Sequence, residues 1–452
     1  MTAGPVRRLV TMLLCAIVVG APAVACGNDS ALTDCIRVVD ESGDPTRECL
    51  PVASDTARVD LGTPTFRTPT SITNRLHPTS ALTQTIYGGQ VGGEPFRTEV
   101  TRLPGTKTIA WDGTPVETVI VQYVAYLDGR IHEVAIDWFA QADDGSVWYF
   151  GEDVSNFEDG SVADTEGTWL AGDQIPAAMI MPAQPHPGDV YRPENAPGVV
   201  FEEVRIEKVD QEVASPSGII GGAIEVGELH MDGTREGKVF VPGYGEFSTG
   251  SPTGDLEAVS LASPTDTRRG PAPAEFGALS GAVGDVFGAV AAADSERAGQ
   301  AATALDRAWD SVRTVGIPPQ VELQMQRDID TLTRAVGDRD SRSAQSAALR
   351  IAQNELDLRL LYQRVIDVDL ARLALWARQL PVDVAAADTG SVLADVAALD
   401  RVWERTRPGV EATASVDTAL DEVRRAVDGE DLPADGSAAA NLTQAVAGLH
   451  AR

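Results

Sequence analysis

The chain has 452 residues, room for two or three domains, and a 43% hydrophobic content that can support sizeable cores. Its 67 acidic residues outnumber 36 basic ones, giving a formal charge of −31, and only Lys107, Lys208 and Lys238 are lysines. Such a surface repels nucleic-acid phosphates and anionic headgroups, so it excludes nucleic acid as a partner and a basic patch as a membrane anchor.

The first element is a leader. Arg7 and Arg8 precede an apolar run over 9–19 that is too short to span a bilayer, and small residues follow at Ala23-Val24-Ala25. Next comes Cys26. The stretch resembles the lipobox of bacterial lipoproteins, in which that Cys takes a diacylglyceryl group and becomes the new N-terminus. Ala23 stands where that family usually has Leu, and the ordinary secretory peptidase would cut the same bond. Either cut removes residues 1–25 as a signal peptide and places the rest outside the cytoplasm. Three mature thiols, Cys26, Cys35 and Cys49, leave one unpaired in an oxidising compartment. Acylation of Cys26 resolves the odd count. It attaches the protein to the extracytoplasmic face of the cell membrane through its lipid. Cys35 and Cys49 then form a disulfide whose short loop contributes roughly 3 kcal/mol on the chain-entropy account.

Residues 26–80 are rich in Asp, Ser, Thr and Pro and read as a tether stapled by that disulfide. From 81 to 263 the writing is β. Short alternating runs at 116–126 (VETVIVQYVAY), 130–141 (RIHEVAIDWFAQ) and 146–150 (SVWYF) are separated by Asp-Gly turns, the strongest short-range hairpin signal. Further strands are expected at 199–209, 223–231, 238–241 and 256–261. No long amphipathic pattern interrupts them, which predicts an antiparallel sandwich or a strongly curved sheet.

Asp137 to Asp153 (DWFAQADDGSVWYFGED) resembles the hairpin of a family of secreted bacterial proteins with the pattern DW(F/Y)AQxxxGxVWYFGED. Its later EGxW, IMPAxPxxGDxYR and PGxG segments recur here at 166–169, 180–192 and 242–245. The resemblance spans about 116–261 and implies no activity, since none is assigned to that family.

Residues 264–274 are Pro-rich and charged, and read as an interdomain linker. From 275 to 452 the spacing is helical. ALDRAWDSVR at 304–313 returns as ALDRVWERTR at 398–407, and VAAAD at 290–294 returns at 384–388, both 94 residues on. This predicts a duplicated unit of two helical hairpins, seven or eight helices in all, with Asp294 and Asp388 as N-caps and Trp309 and Trp403 as core anchors. The fold class is therefore α+β multidomain: an antiparallel β domain, then an all-α repeat. The apolar run over 276–293 carries Asp285 and four glycines, and reads as a buried or small-residue helix rather than a membrane span.

Catalytic motifs do not appear. His132-Glu133 lacks the second His of a zincin, and no GxSxG elbow, Walker loop or GxGxxG follows a strand. The motifs imply no cofactor, and the chain reads as no enzyme. Two features remain. Trp138, Trp148, Tyr149 and Trp169 are candidates for a ligand pocket, with filling of the space under a curved sheet as the commoner role of such residues. Glu152, Asp153, Glu158 and Asp159 are candidates for a metal site, against a solvated acidic loop; an EF-hand ending at Gly160 lacks ligands at Ser155 and Phe157. The helical half is similar to the helical domains of imelysin-type iron-uptake proteins, but lacks their His-x-x-Glu pair. Two functions follow. One is a cell-envelope lipoprotein acting as a non-catalytic binding or interaction module for an envelope protein or small ligand. The other is a carboxylate-based metal-binding or metal-delivery lipoprotein.

Overall fold

The computed structural model describes residues 35–39, 45–411, 413–429 and 432–451. The expected signal peptide and Cys26 lie outside the described residues. The β1 (Cys35–Val39) and β2 (Pro45–Pro51) strands form a separate hairpin closed by the expected Cys35–Cys49 disulfide.

A fourteen-stranded antiparallel sheet follows. Its first half comprises β3 (Gln84–Val91), β4 (Glu94–Trp111), β5 (Thr114–Leu127), β6 (Arg130–Gln141), β7 (Val147–Glu158), β8 (Ser161–Asp164) and β9 (Trp169–Leu170). The second half comprises β10 (Ala178–Met181), β11 (Val190–Ala196), β12 (Val200–Ser215), β13 (Gly218–His230), β14 (Arg235–Val241), β15 (Gly245–Gly250) and β16 (Leu256–Ser263). The strands pair in the order β10-β7-β6-β5-β4-β3-β16-β15-β14-β13-β12-β11, with β8 and β9 added on β7. The two ends of that path, β10 and β11, lie beside one another without forming a ladder, so the sheet is curled almost into a barrel. Of the two β architectures expected, the strongly curved sheet is the one formed.

The hairpin turns explain the tight meander. Asp112-Gly113, Asp128-Gly129 and Asp159-Gly160 each place two successive residues at positive φ, as a type I′ turn between right-twisted strands requires. At Gly160 there is a second constraint. A Cβ there would lie 2.1 Å from the Gly390 carbonyl oxygen, so only glycine lets this hairpin tip dock on the helical half.

The segment expected as a tether departs from that expectation over its second half. Ile72 and Leu76 are buried, Asn74 bonds the carbonyls of Gly145 and Pro182, and Asp60 accepts from the Arg192 backbone. Its few apolar residues are anchors, spaced too irregularly to betray a strand.

Eight helices are described: α1 (Ala274–Ala291), α2 (Ser295–Arg313), α3 (Pro319–Asp338), α4 (Ser341–Arg359), α5 (Val365–Ala386), α6 (Thr389–Thr406), α7 (Thr413–Asp428) and α8 (Leu432–Ala447). The duplication is visible in their boundaries. α2 and α3 start at Ser295 and Pro319, and α6 and α7 start 94 residues later at Thr389 and Thr413. In each copy the first helix packs on the second and fourth, and the third on the second and fourth, making two four-helix bundles. Asp294 and Asp388 cap α2 and α6 by accepting from Arg297 and Ser391 backbone N–H, each after an alanine at positive φ. Trp309 and Trp403 are buried as expected, at 0% and 5% exposure. α1 is apolar and long enough to cross a membrane, and packs Phe276, Leu279, Val283, Val286 and Phe287 into its bundle.

Strands and helices share one core. Ile86, Val124, Tyr126, Ile131, Val134 and Leu261 on the outer face of the sheet join the helical residues, with Tyr126 stacked on Trp376 at 5.8 Å between ring centres. Beside this core lies a buried ionic network. Arg97 grips Asp357 in bidentate fashion (2.7 and 2.6 Å), Arg372 reaches Asp357 (2.7 Å) and Asp369 (2.6 Å), and Arg405 reaches Asp369 (2.8 Å) and Glu99. Three guanidinium groups thus meet three carboxylates. Burial alone would push the Glu99 carboxyl up, but Arg372, Arg405 and Arg97 around it hold it far below the usual range. The connecting segment is anchored as well: Arg268 donates to the Val315 and Gly316 carbonyls, and Asp266 accepts from Tyr244 and from the Ala262 N–H.

Candidate functional site: a carboxylate-lined cavity inside the curled sheet

Side chains alternate across a strand, so each strand that faces the helices on one side also faces the inside of the curl on the other. On β4, Arg97 and Glu99 enter the ionic network while Val100 lines the interior. On β5, Gln122 bonds Arg405 outside while Val121 and Tyr123 line the interior. The interior holds a cavity of about 240 Å³, lined from β3 to β6 and from β10 to β16.

Its wall is mostly apolar and aromatic, with Tyr87, Tyr123, Phe139, Tyr191, Phe240 and Tyr244 contributing rings. Five carboxylates interrupt it: Asp137, Glu202, Glu228, Glu246 and Glu257. Basic groups are fewer. Lys238 is 2.6 Å from Glu228 and 3.7 Å from Glu246, while Arg102, also on the lining, is exposed. His77 packs edge-on against Phe139; burial holds its pKa near 4, so it is neutral at physiological pH.

The carboxylates fall into two kinds. Glu202 and Glu228 have cations. Burial would raise Glu202, yet His230 at 3.3 Å and Lys238 beyond it bring it to about 2. The same contacts keep His230 charged: burial would lower it, and its bonds to Glu202 and Glu236 raise it to about 11. Asp137 and Glu257 hydrogen-bond to hydroxyls only. Asp137 accepts from Tyr149 (2.7 Å) and burial pushes it up to about 7; Glu257 accepts from Thr98 and is pushed up to about 8 by burial and then by Glu246. Tyr191, a residue with 0% exposure, belongs to the lining, and its hydroxyl has no hydrogen-bond partner. A buried hydroxyl without a partner costs about 1–3 kcal/mol.

The aromatic residues singled out from the sequence lie just behind this wall. Tyr149 bonds Asp137, stacks on Phe139 (4.7 Å) and meets Trp169 edge-on (5.3 Å). Trp138, Trp148 and Trp169 are buried in the sheet's own core, and Lys107 sits over the Trp138 ring at 3.1 Å. They support the cavity and do not line it.

The four acids singled out for metal are not brought together. Glu152 pairs with Asp137 across the β6–β7 ladder and is pushed well up by burial and by Glu194. Asp153 is exposed near Lys107, and Glu158 and Asp159 are exposed at the β7–β8 tip. Alternation along β7 separates neighbours in sequence onto opposite faces, which defeats a ligand set read from proximity in the chain. Among the described residues the one metal-like grouping is Glu202, Glu228 and His230, whose ligand atoms lie within 4.8 Å of one another. Its charge is already met by Lys238 and the protonated His230.

Sequence reasoning missed the lining of β12 to β16. The signal was there, in Glu202, Glu228, Lys238, Glu246 and Glu257 set among apolar residues. In an ordinary exposed sheet such polar positions face water. Here the sheet curls on itself, and these positions face the inside of the curl.

Comparison of the chain with family models, with curated proteins and with solved structures finds no match.

Proposed function

We propose that this protein is an extracytoplasmic lipoprotein, held to the cell membrane through Cys26, whose curled sheet receives a small ligand without catalysing a reaction on it. The cavity carries the reading: an apolar wall, a few converging polar groups and the unpartnered Tyr191 hydroxyl are the features of a preformed binding site. The lipobox-like leader supports the location, and the resemblance of 137–153 to a secreted bacterial family agrees with it. The helical half braces the outer side of β3, β5, β6 and β16. The metal-delivery alternative is weaker. The four acids that suggested it are dispersed, and Lys238 already occupies the charge position of the Glu202–Glu228–His230 grouping.

The test is a fragment screen by thermal shift on the mature chain, paired with Val121→Trp, which fills the cavity from β5. Ligands that stabilise the wild type and not the folded variant support the reading. A screen with no ligand sensitive to Val121→Trp overturns it. Cys26→Ser should release the protein from membranes, and a variant that stays bound contradicts the lipid anchor.

A further inference from the structure

We infer that the ligand is an organic cation, an ammonium or amidinium group on an apolar body, held by Asp137 and Glu257 against the tyrosine wall. The inference rests on the ligand-binding reading above and narrows it to a chemical class.

Charge pairing inside the cavity leads there. Of the five lining carboxylates, Glu202 and Glu228 have His230 and Lys238 beside them. Asp137 and Glu257 have one hydroxyl each, from Tyr149 and Thr98. Glu246 has the Thr249 hydroxyl and shares the more distant Lys238. Each carboxylate offers about four acceptor sites, so a single hydroxyl leaves most of them open. An anion entering here would find mostly acid groups, and a neutral apolar molecule would leave their open acceptor sites unfilled. A cation satisfies both.

The aromatic wall fits the same class. Tyr123 lies in the field of Glu257, Glu133, Glu246 and Asp137, and Tyr87 in that of Glu246 and Glu257. Ring faces attract cations, most strongly where water is excluded. Tyr191 is the independent observation. The residue belongs to the same lining, and its buried, unpartnered hydroxyl can accept from an N–H of a ligand that reaches it. The apolar remainder, Val100, Val121, Phe139, Val204 and Phe240, matches a hydrocarbon or aryl body.

Proton exchange accompanies binding. Glu257 faces Thr98, Glu246, Lys238, Glu133, Tyr87 and Tyr123, and its raised affinity for a proton means that the empty site holds one near neutrality. A cation replaces that proton, so affinity rises with pH.

The experiment uses three probes of one skeleton, 4-phenylbutylamine, 4-phenylbutanol and 4-phenylbutyrate, titrated calorimetrically into the mature protein. The amine is expected to bind about tenfold or more tightly than the alcohol, the acid not to bind, and amine affinity to rise from about pH 6 to about pH 8.5 with proton release. Glu257→Gln should cost the amine about tenfold and leave the alcohol unchanged. If that variant does not fold, Asp137→Asn is scored by the same criterion. Alcohol or acid binding as tightly as the amine, in a manner abolished by Val121→Trp, overturns the cation assignment and leaves the ligand-binding reading standing. No binding by any of the three overturns the cation assignment, and the fragment screen then decides the broader reading.

Discussion

The curled sheet carries buried charge on both of its faces, and the two faces are built differently. On the outer face three arginines, Arg97, Arg372 and Arg405, meet Glu99, Asp357 and Asp369 in a closed network that fastens helices to sheet. On the inner face Asp137 and Glu257 hydrogen-bond only to hydroxyls, and Lys238 acts on Glu257 from farther off. A buried charge that is balanced within the chain belongs to the fold; one left unbalanced at a cavity wall is a site for something else. The same physical cost, desolvation of a carboxylate, is met on one side by guanidinium groups and on the other by retaining a proton.

This contrast can be broken first at the outer network. Glu99→Ala leaves Arg372 and Arg405 short of a partner in a dry interface and should cost about 3–5 kcal/mol in chemical denaturation. A loss below about 1 kcal/mol would mean that water enters the interface and the network is weak. A comparable loss sets the scale in the bundles. Trp309→Ala and Trp403→Ala should each cost about 3–5 kcal/mol, because both indoles are buried with Nε1 bonded, to Gln326 (3.2 Å) and Asp417 (2.9 Å). Unchanged melting in either variant would move that indole to a surface.

The inner face should behave in the opposite sense. Glu257 holds its proton up to about pH 8, above the usual carboxylate range, so its contribution to stability is complete below its unfolded pKa and is lost as pH rises through about 8. The ligand-free protein should therefore weaken between about pH 5 and pH 8.5, and Glu257→Gln should flatten that slope. Glu257 is partly exposed, so a difference of about 1–2 kcal/mol is expected rather than the full linkage value. A wild-type slope equal to that of the variant would show the carboxylate to be solvated. The smallest effect belongs to the acids chosen from sequence for metal. Replacing Asp153, Glu158 and Asp159 together by their amides should change neither calorimetric metal uptake nor stability beyond about 0.5 kcal/mol, since all three are exposed.

The sequence disclosed the parts of this molecule that repeat or alternate. The 94-residue duplication gave the two bundles, their caps at Asp294 and Asp388 and the buried tryptophans, since helix periodicity and capping are local. The Asp-Gly turns gave the β5–β6 and β6–β7 hairpins, and cysteine arithmetic gave the Cys35–Cys49 link. What stayed hidden depends on closure. Whether Glu257 faces water or a cavity is settled by β16 pairing with β3 and by the helices covering the other side, both far away in sequence. The choice of Glu152 with Asp153 failed for a related reason: neighbours in a strand point apart. Gln84 and Arg372 meet at 2.7 Å across 288 positions, and no local pattern announces that contact.

Melting Glu99→Gln and Glu257→Gln side by side at about pH 8.5, without ligand, tests the central contrast most directly. Removing a balanced buried charge should lower the melting temperature, while removing an unbalanced one should leave it equal or raise it. A Glu257→Gln protein that melts as far below wild type as Glu99→Gln would show that the inner carboxylates are also part of the fold, and the cavity would lose its claim to be a cation site.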